Sequence, residues 1–407
     1  MAAYNGNVYI SLRENGAGYL VEYNGSTGEY IRTITLTGDY LTTSSGNANG
    51  YCCNDVFVDG GGNLCVSNMI TSQNTTNELT ICSVDINTGA TTRIFESDLA
   101  LSSSWRSYTL RFDYCSAYGD LTKTGAKVYA AAAAASYSTS WNNRYDYRKR
   151  VYCWTRNSTG TWTMVYREVN SFYPTSQTTS FGNAPRVMPI DDTRIIVDGS
   201  TSYPSLYSYG SSSAIMTDNF ESNSSIKPEG IMGAGMCVAE IAEKPLYIYA
   251  FNDNTADYFD FAIVHNPDNF NFASMELLWR VPQYGLGNTS NEYVSAIPAT
   301  INNADGSLTL FVYVPRNGLA AYRISDANAN AIEDIELDFN DAAIKVINRV
   351  AYVSEQADVI NVYSAAGTLV ASASNCNTIN LASLPAGVYL ISAQNGDNSM
   401  TQKVAIK

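Results

Sequence analysis

A strand, a tight glycine turn and a second strand, written NDVFVDGGGNLCVSNM at residues 54–69, recur in altered form along most of the chain. An isolated strand pair or short meander buries too little apolar surface to stand alone. A chain built from such units must therefore pack sheet against sheet. A second mark of repetition is the turn ahead of the last strand of a unit. It carries Thr-Gly three times, as Thr27-Gly28, Thr88-Gly89 and Thr159-Gly160. Repeats of one meander with drifting loop lengths are how propeller blades vary.

Taken in order, the first unit reads as strands at 7–13, 19–23 and 30–36. The second reads as strands at 55–59, 63–68, 79–85 and 90–95. The third has strands at 110–116, 127–135, 150–156 and 162–168. The alanine run 130–135 has helical propensity. It is far too short for a self-supporting helix and stands where the other units place their second strand, so it is assigned to a strand. The fourth unit covers 186–189, 194–198, 205–209 and 211–218. The fifth covers 236–241, 246–252, 258–265 and 275–281, and the sixth 293–300, 308–315, 319–324 and 332–337. Second strands therefore begin near residues 7, 64, 127, 194, 246 and 308. The first unit shows no first strand: either that strand has been removed, or a segment after residue 337 returns to close the ring.

The fold class that follows is all-β: a six-bladed β-propeller at 1–338, then a small β-sandwich at 343–407. An array of sandwiches is the competing architecture. The last segment alternates cleanly and turns at Ala366-Gly367 and Asn395-Gly396.

Charge narrows the partners. The net charge of −14 with only 24 basic residues provides no phosphate-neutralising footprint, so nucleic acid is not an expected partner. No apolar run has the length of a membrane span. No signal-peptide core precedes the first strand in this chain. The eight cysteines fall mostly in apolar strand-like runs and read as buried small residues, with Cys65 and Cys82 the pair to check for a disulfide.

Near the end the chain resembles a known module. Residues 361–370, NVYSAAGTLV, are similar to the segment in C-terminal sorting domains of type IX secretion in Bacteroidetes that carries Tyr363 and Gly367. Residues 379–391, INLASLPAGVYLI, are similar to that family's Leu-Pro-x-Gly-x-Tyr segment, here Leu384, Pro385, Gly387 and Tyr389. The terminal QKVAIK resembles its last strand, with Lys403. Val346-Ile347-Asn348-Arg349 stands where the family usually has Asn-Pro. The resemblance covers about 343–407. It implies handling by a secretion machinery and a secreted or outer-membrane-surface location. It carries no implication for the first domain.

No catalytic motif is apparent: there is no G-x-S-x-G, P-loop or dinucleotide fingerprint. The lone His265 ends a strand beside a proline turn and reads as surface. Asp55, Asp113, Glu240 and Glu292 fall near first strands, which in a propeller border the central channel. They are the candidate channel acids for a hydrolase or lyase. Asn252-Asp253-Asn254 with Asp257 has a faint calcium-loop flavour without the Gly and distal Glu, so no cofactor or metal is expected. Loop aromatics, Trp141, Tyr145 and Tyr147 with Trp105, are the candidate ligand-stacking residues. The reading is a monomeric surface or secreted protein that binds a glycan, another extracellular polymer or a protein. A carboxylate-based hydrolase or lyase is the first alternative, and a structural surface protein without a small ligand the second.

Overall fold

The computed structural model describes residues 1–39, 52–70, 78–97, 110–134, 150–170, 181, 184–199, 202–210, 214–220, 224, 226, 235–241, 244–252, 259–266, 270–281, 297–314, 318–325, 344–347, 349–396 and 398–406. The protein is all-β, and its contacts divide it into two compact units, Met1–Ala329 and Asn330–Lys407.

The first unit is a succession of antiparallel meanders. The first sheet runs Ala2–Tyr4, Asn7–Glu14, Ala17–Asn24 and Tyr30–Thr35. The second runs Asp55–Val58, Leu64–Ser67, Thr80–Val84 and Ala90–Glu96, with Thr37–Gly38 added in parallel on its outer edge. The third runs Ser116–Tyr118, Lys127–Ala131, Arg150–Arg156 and Trp162–Asn170. The fourth runs Arg186–Pro189, Arg194–Gly199, Ser202–Tyr209 and Ala214–Asn219. Its outer strand touches that of the third in a short parallel pairing, Val169 with Ala214. The fifth runs Met236–Ile241, Lys244–Asn252, Phe259–His265 and Glu276–Val281. The sixth has Ile297–Asn302, Leu308–Val314 and Gly318–Ile324 among the described residues.

Two expectations change. The first sheet does have a first strand, Ala2–Tyr4, paired with Asn7–Glu14. Three residues are too few to show a period. The signal that remains is Asn5-Gly6, with φ of 49° and 77°, the positive pair that a tight two-residue hairpin requires. In the third unit the expected strand 110–116 is two pieces. Leu110–Arg111 pairs with Ala133–Ala134, whereas Ser116–Tyr118 is the strand that begins the sheet. The alanine run does form strand, and Ala130 and Ala131 are fully buried.

Alternation along the second strands explains how the sheets hold together. Successive side chains on a strand point to opposite faces. Leu64 and Val66 join a core with Tyr9 and Leu20 of the first sheet. Cys65, between them, joins one with Val128, Tyr152 and Trp154 of the third. The same sharing continues. Tyr129 and Val151 pack with Ile195 and Tyr207, Ile196 and Leu206 with Tyr247 and Tyr249, and Leu246 and Ile248 with Leu310 and Val312. Phe311 of the sixth sheet then packs with Val8 and Ile10 of the first. Aromatic rings fill several of these cores. Phe95 meets Trp154 and Trp162 edge-on at 5.3 and 5.1 Å, and Phe220 lies against Phe272 at 4.4 Å.

The turns repeat because an Asx side chain closes them. Between the first and second strands, Asp59, Asp120, Asp191 and Asp305 each accept the N–H two residues on, from Gly61, Thr122, Thr193 and Ser307. Between the third and fourth strands, Asn24, Asp85 and Asn157 do the same for Ser26, Asn87 and Thr159.

Asp191 is tied to its turn by its own neighbours. Burial alone would raise its pKa. The N–H groups of Thr193 and Arg194, with Arg194 Nε at 2.6 Å, outweigh burial and lower it to about 2. A carboxyl with a depressed folded pKa stabilises the fold above its unfolded value, and that contribution disappears as pH falls through the folded value. The wild-type urea midpoint should therefore drop between about pH 4 and 2 more steeply than that of Asp191→Asn, which has no charge to lose. Parallel curves over that window would show the turn to be uncoupled from folding.

The second unit is one connected sheet. The 15-residue strand Val350–Ser364 pairs with Leu369–Asn380 on one side. On the other side it pairs with Lys345–Ile347 and Gly387–Asn395, and Asn398–Ile406 adds the outer edge. Its register jumps between Tyr352 and Ala357, and residues from both halves, Ala351 with Ile360 and Val362, share a core with Leu381, Ile391 and Ile406.

Candidate functional site

First strands from the sheets of the first unit converge on one cavity of about 390 Å³. Its wall takes Asp55–Val58 from the second sheet, Ser116 and Ala117 from the third, Arg186–Pro189 from the fourth, Met236 and Val238 from the fifth, and Ile297 and Pro298 from the sixth. Met1, beside the first sheet's opening strand, completes it. Most of this lining is apolar. Among the described residues its charged side chains are Asp55 and Arg186.

Arg186 is the first residue of its strand and stands opposite Asp198 in the ladder. Its Nη1 lies 3.6 Å from Asp55 Oδ2, with the two side chains 11% and 9% exposed. The guanidinium carbon sits 3.5 Å from the centre of the Tyr114 ring, within the range of a cation–π contact. Burial works against the charge on Arg186. Tyr114, Asp55 and Asp198 outweigh that and hold its pKa above the ordinary arginine value, so the side chain is cationic at any pH the fold survives. Asp55 also accepts the N–H of Val56 through Oδ1 at 2.9 Å. An Arg–Asp pair in a partly closed, apolar-walled cavity sets hydrogen-bond donors beside acceptors, which can orient a polar ligand.

Of the four candidate channel acids, Asp55 lines this cavity. Asp113 is buried, and its backbone carbonyl accepts from Asn54 Nδ2 at 2.8 Å, away from the cavity wall. Glu240 is exposed on its strand, and Glu292 lies outside the described residues. Trp105, Trp141, Tyr145 and Tyr147 also lie outside them, as does the stretch 253–257. His265 ends its strand half-buried, opposite Glu276 and away from the cavity. The sequence reading missed Arg186. A lone arginine before Val-Met-Pro carries no local sign of being inward, because its neighbours in the cavity come from other sheets.

In the second unit the motif residues fix one another. Gly367, at φ 78°, closes the turn in which Ser364 N donates to Thr368 O at 2.8 Å. Tyr363 ends the run of the long strand before that turn and faces Leu390 across the ladder. Leu384 is nearly buried, and Tyr389 Oη donates to Pro385 O at 2.8 Å across Gly387. Arg349 Nη1 donates to Leu384 O at 2.8 Å and to Ala382 O at 3.3 Å, so the residue standing in place of the usual Asn-Pro ties down the Leu-Pro-x-Gly loop. Lys403 is exposed opposite Leu390.

Residues 333–407 match the family described as the secretion system C-terminal sorting domain. With this type IX sorting domain at its end, the protein is a secreted or outer-membrane-surface protein, and no helix among the described residues is long and apolar enough to cross a membrane. No curated protein matches the chain. Among solved structures it is similar to a DUF4623 family protein from Bacteroides eggerthii, with 11% identity and a TM-score of 0.47 over 79% of this chain and 71% of that one. An α-L-arabinanase from Penicillium chrysogenum, complexed with arabinobiose, gives 11% identity and 0.39 over 82% and 96%. The Dos1 propeller gives 11% and 0.36 over 79% and 65%.

Proposed function

We propose that the protein is a binding protein of the cell surface or its surroundings, whose ligand is a glycan or another extracellular polymer. Its scaffold is a six-bladed propeller spanning 1–338, and its segment 343–407 is a small sandwich, a plan that the register jump in Val350–Ser364 is suited to. The observation that carries the binding reading is the cavity wall. Among the described residues it brings together one carboxylate and one guanidinium, Asp55 and Arg186, in a mostly apolar lining. Hydrolysis of a glycoside needs two carboxyl groups flanking one bond. An Arg–Asp pair instead offers matched donors and acceptors for hydroxyl groups. The closed succession of shared cores, with Phe311 returning to Val8 and Ile10, supports the six-bladed plan.

The test is a glycan array probed with the full chain, with every bound sugar also assayed for cleavage. Retention without cleavage is the expected result. Cleavage products would overturn the binding reading in favour of an enzyme, and a blank array would leave protein partners as the alternative. Secretion machinery is the partner proposed for the tail. Deleting 333–407 in a host with type IX export should hold the protein inside the cell envelope, and unchanged surface display would remove that partner.

A further inference from the structure

Arg186 is held in the cavity with more hydrogen-bonding capacity than its neighbours use. Its Nη1 faces Asp55 and its plane rests on Tyr114. Nε and Nη2 are buried with no hydrogen-bond partner among the described residues. A buried donor left unmatched is unfavourable, and such a group in a native fold calls for an explanation, of which a bound partner is one. Asp55 has the opposite surplus. Its one contact to Arg186, at 3.6 Å, is longer than a charge-assisted hydrogen bond, so Oδ2 keeps lone pairs for a donor.

Charge decides what kind of ligand fits. Asp55 and Asp198 both act on Arg186. Two carboxylates around one guanidinium repel a free anion. Neutral hydroxyl groups meet no such barrier, since each can accept from a guanidinium N–H and donate to a carboxylate. The volume of about 390 Å³ is at the small end of ligand pockets, which suits the end of a chain rather than its length.

We propose that this cavity binds a terminal neutral sugar through a vicinal diol. A small shift of the Arg186 side chain turns its buried Nε and Nη2 toward the cavity, where they donate to the two hydroxyl oxygens, and one of those hydroxyls donates to Asp55. The apolar wall, Val58, Met188, Met236 and Ile297, receives the C–H face of the ring. The proposal rests on the glycan-binding reading and assigns the site to the cavity rather than to loop aromatics.

The experiment is saturation-transfer NMR on the full chain with a panel of methyl glycosides of glucose, galactose, mannose, xylose and fucose, plus glucuronate. Wild type should bind at least one neutral glycoside, and bind it better than glucuronate. Arg186→Gln should weaken that binding at least tenfold. Because that change leaves buried carboxylates without their cation, Val238→Trp serves as the second variant. Val238 lines the cavity, is 43% exposed, and lies outside the ion pair. It should also weaken binding at least tenfold while circular dichroism stays native. Unchanged binding in a folded Val238→Trp protein would overturn this site and leave the glycan reading standing. Preference for glucuronate would overturn the neutral-diol assignment. A panel in which no saccharide binds wild type would remove the glycan reading itself, and this site with it.

Discussion

Asp59→Ala is expected to destabilise the first unit by about 3–5 kcal/mol, read as a fall in urea midpoint at unchanged slope. Asp59 is 5% exposed, and its carboxylate is saturated. Oδ1 accepts the N–H groups of Gly61 at 3.0 Å and Asn63 at 2.8 Å, and both oxygens accept from Asn63 Nδ2. Oδ2 accepts from Leu121 N at 2.9 Å, across the gap between the second and third sheets. Truncation to Ala therefore removes a turn lock and a link between sheets together, and leaves the Leu121 N–H buried without an acceptor. Asp120→Ala is the comparison. Its side chain makes local turn bonds to Thr122 N and Oγ1, both open to solvent, so a much smaller fall in midpoint is expected. Equal losses in the two variants would mean that the link to Leu121 contributes nothing.

Gly89→Ala is expected to cost about 3 kcal/mol or more, against about 1 kcal/mol for Gly28→Ala, although the two occupy the same place in neighbouring turns. Both glycines have positive φ, 75° and 73°, so both variants carry the conformational penalty of an L side chain in that region. They differ in what lies beyond. A Cβ on Gly28 would meet open space, whereas one on Gly89 would fall 2.1 Å from the carbonyl oxygen of Thr35. Gly89 is where the outer turn of the second sheet is pressed on the first, and its own carbonyl accepts the N–H of Thr37. Relief requires a backbone shift between two sheets, not a rotamer change. Matched chemical denaturation of the two variants checks this, and similar midpoints would show that the contact yields at no cost.

That pair marks the limit of what could be read from the chain. The Thr-Gly turns at 27–28, 88–89 and 159–160 announced the repeat because the αL position and the Asx closure are local demands that leave a local trace. The apolar run around Leu64-Cys65-Val66 announced a strand for the same reason. What sits against each turn is decided by residues tens of positions away. Gly28 and Gly89 look alike in sequence and unlike in space. The cavity follows the same rule. Asp55 stood out from its position at the start of a strand, and it lines the cavity, but its partner Arg186 belongs to another sheet and Tyr114 to a loop. The short opening strand Ala2–Tyr4 was missed because three residues show no period, and Asn5-Gly6 was its one usable sign. The sorting segment was legible as a motif; the role of Arg349 in bracing it was not, since its acceptors are backbone carbonyls that no side-chain pattern betrays.

All eight cysteines are free thiols, and six of them are buried. Cys65 and Cys82 lie on neighbouring strands, but their registers are one residue apart, with Cys65 opposite Ser83 and Cys82 opposite Val66, so they point into different cores. Burial pushes the thiols of Cys53, Cys82, Cys115 and Cys237 up to about 12, far from the reactive thiolate. No covalent strap thus joins one sheet to the next, and each of the six buried thiols stays silent to alkylating reagents until its own surroundings open. The molecule carries its own set of clocks: the order in which Cys53, Cys82, Cys115 and Cys153 become labelled would record which part of the first unit lets go first.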